Sequence, residues 1–415
     1  MIEYTDFTLN NGLRVVVHQD KSTPIVAFNL LYDVGAKDED ENRTGFAHLF
    51  EHLMFGGSVN IPLFDSPLQV VGGENNAFTS NDLTNYYITL PKESLETAFW
   101  LESDRMLSLA FSEKSLEVQR QVVIEEFKQR YLNQPYGDVY LLLRPLAYQQ
   151  HPYKWATIGK EIAHIEEASM EEVKAFFFKH YRPNNAILSI AGDVEVEEIE
   201  RYAKKWFGDI PSVNKNVRSI PKEPLQKEAR SLTVEREVPL DAIYKAYHMV
   251  ERSHVDYYAT DLISDILSRG NSSRFYQELV KEKQLFTELN AYVTGDMDPG
   301  LFIISGKLNP GIDFDTAEKE IVKQLESMMF DQVEAAELLK VKNKVISSHQ
   351  FSINSVLNKA MGIAISTLID SPDLINMEVE EYNKVSSDDI KRIALEVFKP
   401  SNCSTLYYKS KAQSL

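Results

Sequence analysis

Residues 44–57 read TGFAHLFEHLMFGG, placing His48, Glu51 and His52 among Phe46, Leu49, Phe50, Leu53, Met54 and Phe55. The apolar residues suit a helix, and Gly56-Gly57 is a strong carboxyl-terminal stop. Burying an unpaired charge on such a helix is costly, so the polar trio needs a reason. Four residues apart, His48 and His52 share one helical face, with Glu51 beside His52 and a turn from His48. Two imidazoles so placed can grip one divalent ion. Zinc suits nitrogen and oxygen donors, and a catalytic zinc keeps three protein ligands and one open position. The bland alternative, two buried histidines satisfied by backbone groups, requires spacing, carboxylate and apolar helix to coincide by chance.

A third ligand has to come from elsewhere, and the segment EVQRQVVIEEF (117–127) offers Glu125 and Glu126. At roughly 100° per residue, Leu116, Val122, Val123, Ile124 and Phe127 define an apolar face. Glu126 lies on its flank and Glu125 points away. A carboxylate turned toward the core wants a cation, whereas one turned outward wants only water. Glu126 is therefore the expected ligand. Glu51 then has the remaining role: it takes a proton from water whose acidity the metal has raised and passes it to a leaving amine. The order HxxEH is the inverse of the HExxH signature of zinc peptidases.

The rest of the chain bounds this reading. With 415 residues, two domains of about 200 each are expected. A composition of 43% hydrophobic and 26% charged residues is that of a soluble globular protein. The amino terminus shows no basic region followed by an apolar run, and no stretch approaches the roughly 18 apolar residues of a membrane span. The single cysteine, Cys403, excludes an internal disulfide and a cysteine-cluster metal site. Together these favour a cytoplasmic setting without a membrane partner, or a periplasmic one if a leader has been removed. The net charge of −18 argues against a nucleic-acid partner, and keeping the protein soluble is its simplest role.

Along the chain, FTLNNGLRVVVHQD reads as a hairpin turning at Asn10-Asn11-Gly12. PIVAFNLLYDVGA, NAFTSNDLTNYYITLP and NNAILSIAGDV read as strands, and KESLETAFWLESDRML and EKSLEVQRQVVIEEFKQRYLNQ as long helices. From residue 207 three prolines and many charges mark a linker. Afterwards DAIYKAYHMV, ELNAYVTG and GLFIISGKL (strands), with HVDYYATDLISDILSRG and SSRFYQELVKEKQ (helices), echo the earlier order. The expectation is α+β: two homologous domains, each a mainly antiparallel sheet with helices packed on one face. Their expected bounds are 1–212 and 229–415, joined by a linker at 213–228, and only the first carries the metal motif.

The residues HLFEHLMFGG and VVIEEF, with LNNGLRVVV, HPYKWATIG, YRPNNAILSIAGDV and SSRFYQELVKEKQL, carry a wider likeness. The chain resembles the inverzincin metallopeptidases, which include pitrilysin, insulysin and the mitochondrial processing peptidase with its short bacterial relatives. Glu126 follows His52 by 74 positions (126 − 52), close to that family's interval. The resemblance implies a zinc endopeptidase of two homologous domains, with two chains closing round a chamber for peptides or unfolded polypeptides. It also implies that Asn76, Ala77, Phe78 and Thr79 form an edge strand to which substrate adds. At two points the chain departs from the pattern. Gln119 stands where the family has a supporting glutamate, so it can hydrogen-bond in support of Glu126 but brings no charge. Val280 and Thr287 stand where active members carry an arginine and a tyrosine that hold substrate. Those departures imply a homologous partner chain that supplies the arginine and tyrosine. A self-sufficient homodimer and a non-catalytic scaffold are the alternatives.

Overall fold

The computed structural model describes residues 1–213 and 218–411, so part of the expected linker lies outside the described residues. The described chain forms two compact units, each built on one sheet.

The first sheet has the order β1-β2-β6-β3-β5-β4, with β1 Thr5–Thr8, β2 Arg14–Gln19, β3 Ile25–Tyr32, β4 Glu74–Thr79, β5 Thr84–Pro91 and β6 Ala186–Gly192. The opening hairpin forms as expected. β1 pairs antiparallel with β2, and the turn closes through Gly12 at φ 88°, a conformation that favours glycine. The second sheet has the order β7-β11-β8-β10-β9, with β7 Arg230–Arg236, β8 Ala242–His248, β9 Phe286–Val293, β10 Leu301–Leu308 and β11 Cys403–Ser410. Leaving β1 aside, the two orders are the same. Each sheet contains a single parallel pair, β2 with β6 and β7 with β11, in the corresponding place. The repeat read from the sequence is thus a repeat of topology.

Both sheets are covered on two faces, and the second cover is a surprise. Along β3, Phe28 meets Phe99 of the helix Leu95–Ser108, while its neighbour Ala27 packs with Val356 and Ala360 of the helix Val356–Ile369. Along β8, Ile243 and Tyr247 join the core beneath the helices Tyr257–Ser268 and Phe314–Phe330. Ala242, Tyr244 and Ala246 instead meet Val139, Leu143 and Ala147 of the helix Val139–Ala147. Period-two alternation delivers one set of side chains to each face. Each sheet therefore has its own half's helices on one face and helical cover from the other half's sequence on the opposite face.

The compact units reflect this exchange. The first comprises residues 1–129, 155–221 and 350–377, and the second 130–154, 222–349 and 378–415. This differs from the linear division at 213–228, because those two helices carry apolar stripes that fit the other half's sheet. Burying one large apolar side chain stabilises by roughly 1.5–3 kcal/mol, and Ile363 and Leu143 are fully buried.

The helix expected after Arg274 forms as a π-helix, Phe275–Glu282, with Lys283 N–H donating to Glu278 O at 2.9 Å. Among the described residues no helix is long and apolar enough to cross a membrane.

Candidate metal centre

The helix Phe46–Met54 buries Phe46, Ala47, His48, Leu49, Phe50, Leu53 and Met54 and leaves Glu51 and His52 half-buried. Phe50 fixes it by stacking on Phe176 at 5.3 Å. Its start is unusual. Gly45 takes φ 90° and has no side chain to cap the first turn, and a Cβ there would stand 2.6 Å from Ile158 O. Glu39 supplies the cap from outside the helix. Its two carboxylate oxygens accept from Gly45 N–H at 2.9 Å and Ala47 N–H at 2.8 Å. Glu39 is fully buried, and that burial pushes its pKa up to about 8 against the lowering effect of the two N–H groups. Those two first-turn N–H groups would otherwise lack partners, so this buried carboxyl anchors the histidine helix by accepting from both.

The second helix, Glu113–Phe127, starts where the Ser112 hydroxyl accepts from Ser115 N–H at 3.0 Å. It buries Leu116, Val123, Ile124 and Phe127. Val122, expected on that face, is exposed because it lies about 120° round the helix from Leu116. Glu126 is half-buried on the flank of the apolar face. Glu125 is exposed and pairs with Lys128 at 2.7 Å.

His48, His52 and Glu126 come together. One donor atom from each lies within 4.8 Å of the others. Glu126 Oε2 stands 3.5 Å from His48 Nε2 and 3.4 Å from His52 Nε2, and the two rings meet edge to face at 4.8 Å. Ligands about 2.0–2.1 Å from a tetrahedral zinc are themselves separated by about 3.3 Å. The Glu126–histidine separations match that edge, so these residues fit a zinc ion.

Glu51 lies beside this cluster without belonging to it. Burial raises its pKa, partly offset by the hydrogen bond from Thr79 and by His52. The Thr79 hydroxyl donates to Glu51 Oε2 at 2.7 Å. Thr79 ends β4, whose residues alternate between exposed and half-buried, and β4 is the edge of the first sheet, paired only with β5. Asn76, Ala77, Phe78 and Thr79 therefore all lie on an edge strand.

Gln119 is half-buried on the same helix. Seven residues of helix separate it from Glu126 by about 10 Å along the axis. Val280 packs partly buried against the second unit's core, and the exposed Thr287 hydroxyl donates to Lys307 O at 3.2 Å. The nearby Arg274 is bound twice to Glu337, at 3.1 and 2.7 Å, and to Ser327 at 2.7 Å, so it serves structure.

Two contributors were missed in the sequence. Glu39 and the Thr79–Glu51 bond span loop and sheet geometry, and no short motif encodes either.

Residues 14–160 match insulinase (peptidase family M16) and residues 167–345 match the peptidase M16 inactive domain. The zinc protease PqqE of Helicobacter pylori is 31% identical over 98% of this chain and 93% of that one. The mitochondrial-processing peptidase subunit beta of Saccharomyces cerevisiae is 25% identical over 92% and 86% of the two chains. A crystal structure of a protease from Helicobacter pylori superposes with a TM-score of 0.93 at 30% identity, over 99% of this chain and all of that one. The HxxEH helix, the repeated sheet and these matches together lead to one conclusion: the chain belongs to the insulinase-like peptidase family M16, in its short two-domain form.

Proposed function

We propose that the chain is the metal-holding subunit of a zinc endopeptidase that hydrolyses peptides or unfolded polypeptides. In this reading His48, His52 and Glu126 hold the zinc ion and Glu51 is the catalytic base. The observation that carries it is the convergence of Glu126 Oε2 on both histidine Nε2 atoms at 3.4–3.5 Å, with Glu51 fixed alongside by Thr79. A bound zinc ion polarises a carbonyl and acidifies water. Glu51 takes the proton of the attacking water and hands it to the leaving amine, and partial burial strengthens its affinity for that proton. The open edge of β4 at Asn76–Thr79 offers backbone groups to an extended substrate, a mode that tolerates many sequences.

Val280 and Thr287 offer neither a charge nor a donor able to hold substrate. We assign that role to an arginine and a tyrosine on a homologous partner chain. A relative named as a subunit supports a paired assembly.

The test is peptide hydrolysis by the chain mixed with such a homologue. Glu51→Gln should keep zinc and lose hydrolysis, because ligands survive while the proton carrier does not. Retained hydrolysis in that variant would place the base elsewhere.

A further inference from the structure

The second unit contains a cavity of about 520 Å³, within the range of small-molecule sites. Its floor is the sheet. Lys245 and Tyr247 of β8 and Cys403, Thr405 and Tyr407 of β11 all point to this side, because alternate residues of a strand share a face. Its wall is the helix Phe314–Phe330, through Glu318, Val322, Leu325 and Met329. Most of the lining is apolar or aromatic.

The polar end is built around a buried ammonium. Lys245 is only 3% exposed. Its Nζ pairs with Glu318 Oε1 and donates to Thr405 Oγ1 at 3.0 Å. The other Glu318 oxygen accepts from Tyr407 OH at 2.6 Å. An ammonium has three protons, and among the described residues two are matched. The third belongs to a desolvated cation at the edge of an apolar cavity, where an unmatched donor is expensive.

We propose that this cavity is a binding site for an uncharged amphipathic small molecule, with an aliphatic or aromatic body and a carbonyl that accepts from Lys245. Charge decides the head group. The lining carries two cations, Lys245 and Arg230, and two carboxylates, Glu318 and Glu326, so a charged head of either sign would meet a like charge, and the balanced lining favours a neutral acceptor. The site is separate in kind from the metal centre, since its residues include none of His48, Glu51, His52 or Glu126.

The experiment titrates the full-length protein calorimetrically with octanamide, octanoate and octylammonium, three molecules of one body and different heads. Octanamide should saturate one site per chain, with octanoate and octylammonium at least about tenfold weaker, the scale of one charge-assisted hydrogen bond. Octanamide should also slow modification of Cys403, the single cysteine, by a small thiol reagent. Val322→Trp narrows the cavity from a partly exposed position and should weaken octanamide at least about tenfold, with unchanged thermal unfolding as the control. Lys245→Met combined with Glu318→Gln leaves no unpaired charge and should erase the preference among heads. Equal binding of all three molecules, no saturation by octanamide, no protection of Cys403, or normal binding by Val322→Trp would each overturn the proposal.

Discussion

Thr79, the last residue of an edge strand, donates its hydroxyl to Oε2 of Glu51 at 2.7 Å. The edge strand thereby aims the carboxylate of the histidine helix. A hydrogen bond to a charged group contributes about 1.5–3 kcal/mol. Thr79→Val should therefore lower kcat at least about tenfold while zinc content stays unchanged, and Thr79→Ser should restore most of the loss. Steady-state kinetics and metal analysis check both. A change in KM alone would assign Thr79 to substrate binding only.

Glu126→Gln should raise the zinc dissociation constant by more than about a hundredfold, beyond the loss typical of a supporting residue. Glu125→Gln should leave it unchanged, since Glu125 is exposed and pairs with Lys128. Competition with a chromophoric chelator measures both. Equal losses would remove the distinction between the two glutamates.

The isolated chain should be nearly inactive on unfolded peptides. Adding a homologue that carries arginine and tyrosine at the positions of Val280 and Thr287 should raise the rate at least about a hundredfold, the cost of one missing oxyanion donor. Cleavage assays of each chain alone and of the mixture, with a chelated control, decide this. Full activity from the single chain would favour a self-sufficient homodimer.

His180 gives the first unit an acid-sensitive point. Burial, helped by Lys179 and Arg218, lowers its pKa from 6.5 to about 3. The folded state therefore holds it neutral while the unfolded chain takes up a proton below pH 6.5. Its contribution is complete above that value and is lost as pH falls toward 3, at up to about 1.4 kcal/mol per pH unit. Urea unfolding of metal-free protein at pH 7, 5.5 and 4.5 should show a shallower decline in His180→Gln than in the parent. Parallel declines would mean other groups carry the acid sensitivity.

The convergence of His48, His52 and Glu126 was legible in the sequence because HxxEH compresses the histidine spacing into five residues, and helical geometry turns Glu126 toward the core and Glu125 away. The strands and their recurrence were legible from alternation and turn residues. β6 was recognised as a strand, but its place between β2 and β3 was not, because a central position is a matter of long-range pairing. The exchanged helices escaped for a related reason. A helix's apolar stripe says that it needs a partner surface but not whose. Glu39 and Thr79 act across loops and sheet edges, and neither carries a local mark.

The exchange of helices ties assembly to the order of synthesis. The first sheet is complete once β6 has been made, yet the helix that seals its second face begins at Val356. At about 5–20 residues per second, the ribosome leaves that apolar face bare for roughly ten to thirty seconds. A nascent chain that forms the sheet early holds it half-covered through that interval. The second unit has the opposite history: its covering helix, Val139–Ala147, is made before any strand of its sheet and waits for a surface that does not yet exist.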